Sequence, residues 1–287
     1  MTSTSTQPDW QEWQDQWDAQ QEAYLPDREQ RFAAMLDAVE ATLLPIAPTR
    51  SADRHDESIE VPRDQIAPRI LDLAGGTGSI SRRVLWRFPK ASTVVLDVDA
   101  ALLAIARGTF ADDPRVRIAS VDLGYRNWPA ALASELGEEV TGSFDAVLTA
   151  TALHWLTPER VTGVYAEARD LLRPGGLFVN ADYMPDEGLA SLTDGLARVE
   201  RRERTARWEG GVPSWEKWWE LMRADPDLAG PTAQRDAFYA ERRGDNHTES
   251  LRPSAWHLEA LRTAGYPETG LVWRGLLDAA VTGRNAS

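Results

Sequence analysis

Cysteine is absent from the 287 residues. That excludes disulfides, thiolate metal sites and a cysteine nucleophile. Long apolar runs are absent too, and nothing approaches the roughly 18 consecutive apolar residues of a membrane-spanning helix. No membrane partner is expected. The start, MTSTSTQPDWQEWQ, lacks the apolar stretch of a secretion signal, so a cytoplasmic chain is expected. Positive charge is scarce: 31 Lys and Arg stand against 45 Asp and Glu, a formal net charge of −14. A nucleic-acid groove needs clustered cations to displace counterions. Nucleic acid is therefore not expected as a partner, and long-range steering favours neutral or cationic small molecules. The four histidines form no ordered set with Asp and Glu for a catalytic metal, so the metal expectation is none.

What is present is organised in blocks. Pro8-Asp9 reads as a helix start, and Trp10, Trp13, Trp17 and Tyr24 recur at helical spacing. A second helix begins near Pro26-Asp27, with Phe32, Leu36, Val39 and Leu43 as its apolar stripe. Residues 45–68 carry Pro45, Pro48, Pro62 and Pro68 among charges and read as a surface connection. From Arg69 onward, short apolar strands alternate with helices, the pattern of a parallel sheet covered on both faces. Strands are expected at 70–73, 93–96, 116–120, 144–149 and 177–181, with helices at 79–87, 98–106 and 158–172. The alternation stops near residue 184. Helices expected at 189–207, 214–223 and 234–242 form a Trp- and Arg-rich cap. A helix at 253–264 and a closing pair of strands at 271–274 and 277–282 follow. The blocks are thus 1–68, an N-terminal helical lid and linker; 69–183, the core; 184–250, the cap; and 251–287, completion of the sheet.

LDLAGGTGSIS, residues 71–81, places Asp72 at the mouth of a turn containing Gly75, Gly76 and Gly78. A glycine turn before a helix suits either a dinucleotide or S-adenosylmethionine, and Asp97 lies at a spacing that suits both. Asp72 discriminates. A dinucleotide brings a pyrophosphate to the helix N-terminus, where a carboxylate repels it. S-adenosylmethionine brings an ammonium and a sulfonium, which a carboxylate attracts.

The motifs DLAGGTGS at 72–79, VVLDVD at 94–99, Asp122-Leu123, FDAVLTATALHWL at 144–156 and LLRPGGLFV at 171–179 resemble those of class I S-adenosylmethionine-dependent methyltransferases of the small-molecule type. The resemblance covers about 69–181 and the AGY…VWR…AVTGR ending. It implies an α/β, Rossmann-like, seven-stranded, mostly parallel sheet with an antiparallel last strand. It also implies S-adenosyl-L-methionine as cofactor and S-adenosyl-L-homocysteine as product. By resemblance, Asp72, Ala74, Gly75, Gly76 and Gly78 form the cofactor turn, and Asp97 takes the ribose hydroxyls. Asp122 accepts from the adenine amino group, Val98 and Leu123 lie against the ring, and Thr149 lines the methionine end. Ala74 departs from the family pattern, which has glycine there; a positive φ would cost alanine about 1 kcal/mol.

Methyl transfer is an in-line displacement that the protein promotes chiefly by positioning, with a base only where the acceptor must lose a proton. His154, after the fourth strand, is the leading candidate base. His247, where the cap returns to the sheet, and Tyr24, at the end of the Trp stripe, are further acceptor-side candidates. Arg28 is placed to pair with the cofactor's carboxylate. His55 and His257 read as inert and structural. Trp10, Trp13, Trp17, Trp208, Trp215, Trp218 and Trp219 read mainly as helix-packing core near the pocket mouth, able to exclude water. A roofed pocket favours a small organic acceptor, with O-methylation ahead of N or C transfer, in bacterial secondary metabolism. The Asn-Pro-Pro-Tyr motif of amide- and base-nitrogen methylation is missing after the fourth strand. The expected assembly is a monomer or homodimer. Rival readings are a cofactor-binding cyclase or rearrangement catalyst of the same fold, a non-enzymatic partner subunit, and a dinucleotide oxidoreductase, which the missing Tyr-x-x-x-Lys pair disfavours.

Overall fold

Ile70-Leu71-Asp72-Leu73 is apolar at nearly every position because its strand is covered on both faces. In the computed structural model, which describes residues 9–25, 27–44, 62–208, 211–242 and 250–286, seven strands form one sheet. They are β1 (Arg69–Leu73), β2 (Ser92–Asp97), β3 (Val116–Ser120), β4 (Phe144–Ala150), β5 (Leu172–Tyr183), β6 (Glu268–Arg274) and β7 (Asp278–Arg284). Their order is β3-β2-β1-β4-β5-β7-β6. The first five are parallel, and β7 runs antiparallel to both β5 and β6. The strand order reverses between β1 and β4, the place where open α/β sheets bind ligands at their carboxyl ends.

Helices α1 (Trp10–Tyr24), α2 (Arg28–Leu43), α3 (Ser79–Arg87), α4 (Ala100–Thr109), α5 (Trp128–Leu136) and α6 (Pro158–Leu171) precede β5. After it come α7 (Ala190–Trp208), α8 (Trp215–Ala224), α9 (Ala229–Arg242) and α10 (Ser254–Thr263). One sheet face packs Leu71, Leu73, Val147 and Phe178 against α5, α6 and α10. The other packs Ile70, Ala146, Leu148 and Val179 against Phe32, Met35, Leu36 and Val39 of α2, with Ile80 and Val84 of α3. Helix α2 is therefore a layer of the core. Of the two N-terminal helices, only α1 crosses the glycine turn.

The tryptophans join α1 to the cap. The Trp17 and Trp218 rings lie 4.9 Å apart, and Trp218 and Trp219 meet edge to face at 4.9 Å. With Met222 and Leu228 they bury Ala101 and Ile105 of α4. Rings packed this way add their large buried area and a favourable quadrupole geometry. Trp208 ends α7, but its side chain lies outside the described residues, as do the N-terminal tail and most of the 45–68 connection with His55.

Several boundaries differ from expectation. Helix α5 escapes a pattern reading because Trp128–Leu136 is almost uniformly apolar and Ala-rich, with no stripe, and follows Asn127 in a left-handed conformation. Strand β5 begins at Leu172 rather than 177, running through Pro174-Gly175-Gly176, and β7 reaches Arg284. Helix α9 starts at Ala229, tolerating Pro231 in its first turn, where the missing N–H has no intrahelical partner to lose. Among the described residues, no helix is long and apolar enough to cross a membrane.

Candidate active site

At the carboxyl end of β1 the chain turns sharply beneath Gly75. A Cβ on Gly75 would lie 2.6 Å from the Asp72 carboxyl carbon, so only glycine lets the backbone close over this side chain. Asp72 is fully buried. Its Oδ2 accepts from the Ser81 amide and hydroxyl, each at 2.9 Å, whereas its Oδ1 is buried with no hydrogen-bond partner. Burial pushes the Asp72 carboxyl up to about 6 despite the two bonds from Ser81. Ala74 has φ 54°, and Thr151, just past β4, has φ 53°. These two non-glycine residues in the left-handed region flank the sheet's switch point, and such strain tends to gather at functional sites.

Strand β2 ends in a second carboxylate. Asp97 Oδ2 accepts from the Gly76 amide at 2.8 Å, and Oδ1 accepts from the Val98 and Asp99 amides at 2.7 and 2.8 Å. Asp97 thus ties the glycine turn to β2 and faces the site half-buried, beside half-buried Val98. Burial and the neighbouring Asp122 push its carboxyl up, against the three backbone N–H groups. Beyond β3, Asp122 Oδ1 accepts from the Gly124 amide at 2.7 Å, and Oδ2 pairs with Arg242 of α9; Leu123 is buried beside it. Thr149, on β4, is buried with its hydroxyl unpartnered.

Helix α1 roofs the turn. Gln14 donates to the Thr77 and Ser79 hydroxyls at 2.9 and 3.3 Å, and the Ser79 hydroxyl donates to Asp18 at 2.6 Å. Burial pushes the Asp18 carboxyl up, but Arg28, Arg83 and Ser79 outweigh it and hold it below the usual range. This sets an ionised carboxylate at the N-terminus of α3, where a dinucleotide's pyrophosphate would dock. Arg28 itself is buried, bonded to Asp18 at 2.9 Å and stacked 4.7 Å from the Phe32 ring. The structure therefore gives it a partner within the N-terminal helices rather than an open position facing a ligand. The acid-rimmed turn, with an unpartnered buried Asp72 oxygen and Asp18 beyond it, fits a cationic cofactor and not a diphosphate.

The residues expected on the acceptor side stand at the ends of β4 and β5. His154 Nδ1 lies 2.8 Å from Asp182 Oδ1, which also accepts from the Tyr183 amide at 2.8 Å. Asp182 is buried, and the His154 ring lies 4.9 Å from Trp155. A buried carboxylate on Nδ1 favours the tautomer that carries its proton there, which makes Nε2 the accepting nitrogen of the ring. Tyr24 ends α1 against the cap, its hydroxyl accepting from the Trp215 amide at 3.1 Å and its ring 6.0 Å from the Arg204 guanidinium. His247 lies outside the described residues. His257 is buried, with Nδ1 2.6 Å from the Tyr165 hydroxyl, and burial pushes it down to about 4, which suits a neutral structural residue. Asp145 accepts from the Arg69 amide at 2.7 Å and pairs with Arg173, at the end of the sheet away from the site. Among the described residues no cluster could hold a metal ion.

Asp182, Arg235 and Arg242 were not singled out by the sequence reading. Asp182 carried a usable signal: like Asp97, it is a carboxylate closing a buried apolar strand, here Leu177–Ala181.

Comparison with known proteins places these features. Residues 71–178 match the family described as methyltransferase domain. The chain is 34% identical over 130 residues to a ubiquinone/menaquinone biosynthesis C-methyltransferase from Dinoroseobacter shibae, covering 45% of this chain and 48% of that protein. It is 29% identical over 184 residues to a malonyl-[acyl-carrier protein] O-methyltransferase from Laribacter hongkongensis, covering 62% and 58%. The chain spans about half the length of the curated relatives it matches. A crystal structure of a possible exported protein from Bordetella parapertussis superposes with TM-score 0.51 at 17% identity over 90% of this chain and 68% of that one, a likeness of fold. Residues 71–178, which hold the glycine turn and the strand-end acids Asp72, Asp97 and Asp122, thus carry the methyltransferase domain of class I S-adenosylmethionine-dependent enzymes.

Proposed function

We propose that the whole chain is a methyltransferase that transfers a methyl group from S-adenosylmethionine to a small organic acceptor in the cytoplasm, in secondary metabolism, with oxygen the favoured atom. The observation that carries the acceptor-side reading is the His154–Asp182 pair at 2.8 Å beside the switch point. Bound S-adenosylmethionine supplies an electrophilic methyl on a sulfonium. Asp72, Asp97, Asp122 and Thr149 would hold it, with the turn at Ala74–Gly78 against its amino-acid end. His154 Nε2 takes the proton of an acceptor hydroxyl as the oxygen attacks, and Asp182 stabilises the imidazolium that forms. The roof formed by α1 and α8 keeps water from competing with the acceptor. The relatives include both C- and O-methyltransferases; the histidine base favours a protic acceptor such as a hydroxyl.

Calorimetric titration tests the cofactor half. S-adenosylmethionine and S-adenosylhomocysteine are expected to bind at micromolar Kd and nicotinamide dinucleotides not at all; the reverse ranking would overturn the reading. The pH dependence carries a sign. Asp72, raised to about 6, is largely protonated at pH 5 and ionised at pH 7. A cationic ligand favours the ionised form, so binding releases a proton. Affinity for S-adenosylmethionine should therefore rise from pH 5 to 7, by roughly tenfold. An affinity that falls over that range would contradict the placement of a cation beside Asp72.

A further inference from the structure

Helix α9 carries Arg235, Tyr239 and Arg242 at spacings of four and three, which puts them on one face. That face meets the carboxyl ends of β2 and β3. Arg235 Nε donates to Asp99 Oδ2 at 2.8 Å, and its guanidinium lies 3.6 Å from the Trp219 ring and 4.8 Å from the Tyr239 ring. Asp99 Oδ1 caps α4 by accepting from the Ala101 and Leu102 amides at 3.0 and 3.2 Å. Arg242 pairs with Asp122, its guanidinium 3.7 Å from the Phe238 ring and 5.8 Å from the Tyr125 ring. Asp97, Asp99 and Asp122 are close enough to repel one another. Only the two cap arginines pair with carboxylates of this trio among the described residues.

The two pairs are not equivalent. Side-chain exposure is 16% and 4% for Arg235 and Asp99, but 25% and 19% for Arg242 and Asp122. The first is an anchor shielded by rings on one side and a helix cap on the other. The second is wetter, and a partly exposed pair is easily exchanged. It also occupies the carboxylate expected to accept from an adenine amino group: with Gly124 on Oδ1 and Arg242 on Oδ2, both Asp122 oxygens are engaged. A guanidinium and an exocyclic amine seek the same lone pairs.

We propose that α9 closes the adenosine half of the cofactor site, with Arg242 a latch that releases Asp122 to the incoming adenine while the Arg235–Asp99 pair keeps the helix docked. The cap is then a gate for cofactor exchange as well as a roof for the acceptor. The proposal rests on the S-adenosylmethionine reading given above.

Stopped-flow binding of S-adenosylhomocysteine to the full chain, followed by tryptophan fluorescence, tests it. This ligand carries no net charge near neutral pH, so electrostatic steering contributes little. Wild-type association should quicken as salt rises from about 20 to 500 mM, because screening loosens the latch. Arg242→Gln should associate about fivefold faster at low salt and lose that salt response. Arg235→Gln should instead dissociate about fivefold faster. A wild-type association rate indifferent to salt, or an Arg242→Gln variant with unchanged association, overturns the latch. Circular dichroism checks the variants' folding, and the wild-type salt series decides the matter even if a variant does not fold. Calorimetry showing that the wild type binds neither adenosyl ligand would overturn the cofactor reading instead.

Discussion

Replacing His154 with alanine is expected to lower turnover by about 10²- to 10⁴-fold while leaving cofactor affinity within about twofold. The split follows from where the side chain sits. His154 lies beyond β4 against Asp182 of β5, the side proposed for the acceptor, whereas the carboxylates proposed for the cofactor close β1 and β2 and follow β3. In the proposed mechanism Asp182 acts through the imidazole, as a positioning residue. Asp182→Asn should leave the ring in place but remove the charge that stabilises the imidazolium, and an asparagine NH2 donating to Nδ1 should favour the wrong tautomer. Turnover against pH separates chemistry from structure: the limb governed by the histidine should disappear in His154→Ala and shift to lower pH in Asp182→Asn. Undiminished turnover in His154→Ala, with an identified acceptor at saturation, would remove the base from the mechanism.

Asp97→Ala should weaken S-adenosylhomocysteine binding by about 2–3 kcal/mol, or roughly 30- to 150-fold. Two effects contribute. A charge-assisted contact to the ribose is lost. In addition, the Gly76, Val98 and Asp99 amides lose the oxygens that hold the turn against β2. Asp97→Asn tells these effects apart, since one amide oxygen retains part of the turn's bonding without the charge. Equal losses in the two variants would assign the effect to charge, and a much smaller loss in Asp97→Asn would assign it to turn geometry. Unchanged affinity in Asp97→Ala, read by calorimetry, would remove Asp97 from the cofactor site.

The parts legible in the sequence are those written locally. The strand, glycine turn and helix from Arg69 to Arg87 occupy one continuous stretch, and the turn's chemistry is fixed by adjacent residues. Strand-end acids announce themselves because a carboxylate closing an apolar run is unusual. The sheet's antiparallel finish followed from the family resemblance, which the closing pair of strands suited. Contacts made only by tertiary pairing were not. His154 and Asp182 are 28 positions apart and meet because β4 and β5 pair in parallel. Arg242 and Asp122 are separated by 120 positions, so nothing near either residue marks the pair. Arg28 shows the opposite error: a cation near a binding site invites a ligand, but Asp18, ten positions earlier across the α1–α2 corner, meets it first. The roof tryptophans were legible as a stripe, while their partners on α4 were not, because Ala101 and Ile105 carry no signal beyond helicity.

The left-handed turn at Ala74 bears on how this protein could diversify. Relief of about 1 kcal/mol in an Ala74→Gly variant would match or slightly exceed the roughly 0.5–1 kcal/mol that glycine forfeits through unfolded-state freedom. Thermal unfolding should therefore move upward, by a few degrees at most. Most single substitutions cost about 1 kcal/mol. A library of cap variants built on the Ala74→Gly background would tolerate up to about half of one further disruptive change per member relative to the same library built on the parent chain. The breadth of acceptors that laboratory selection can reach would then be governed in part by a residue at the cofactor turn rather than in the cap being varied.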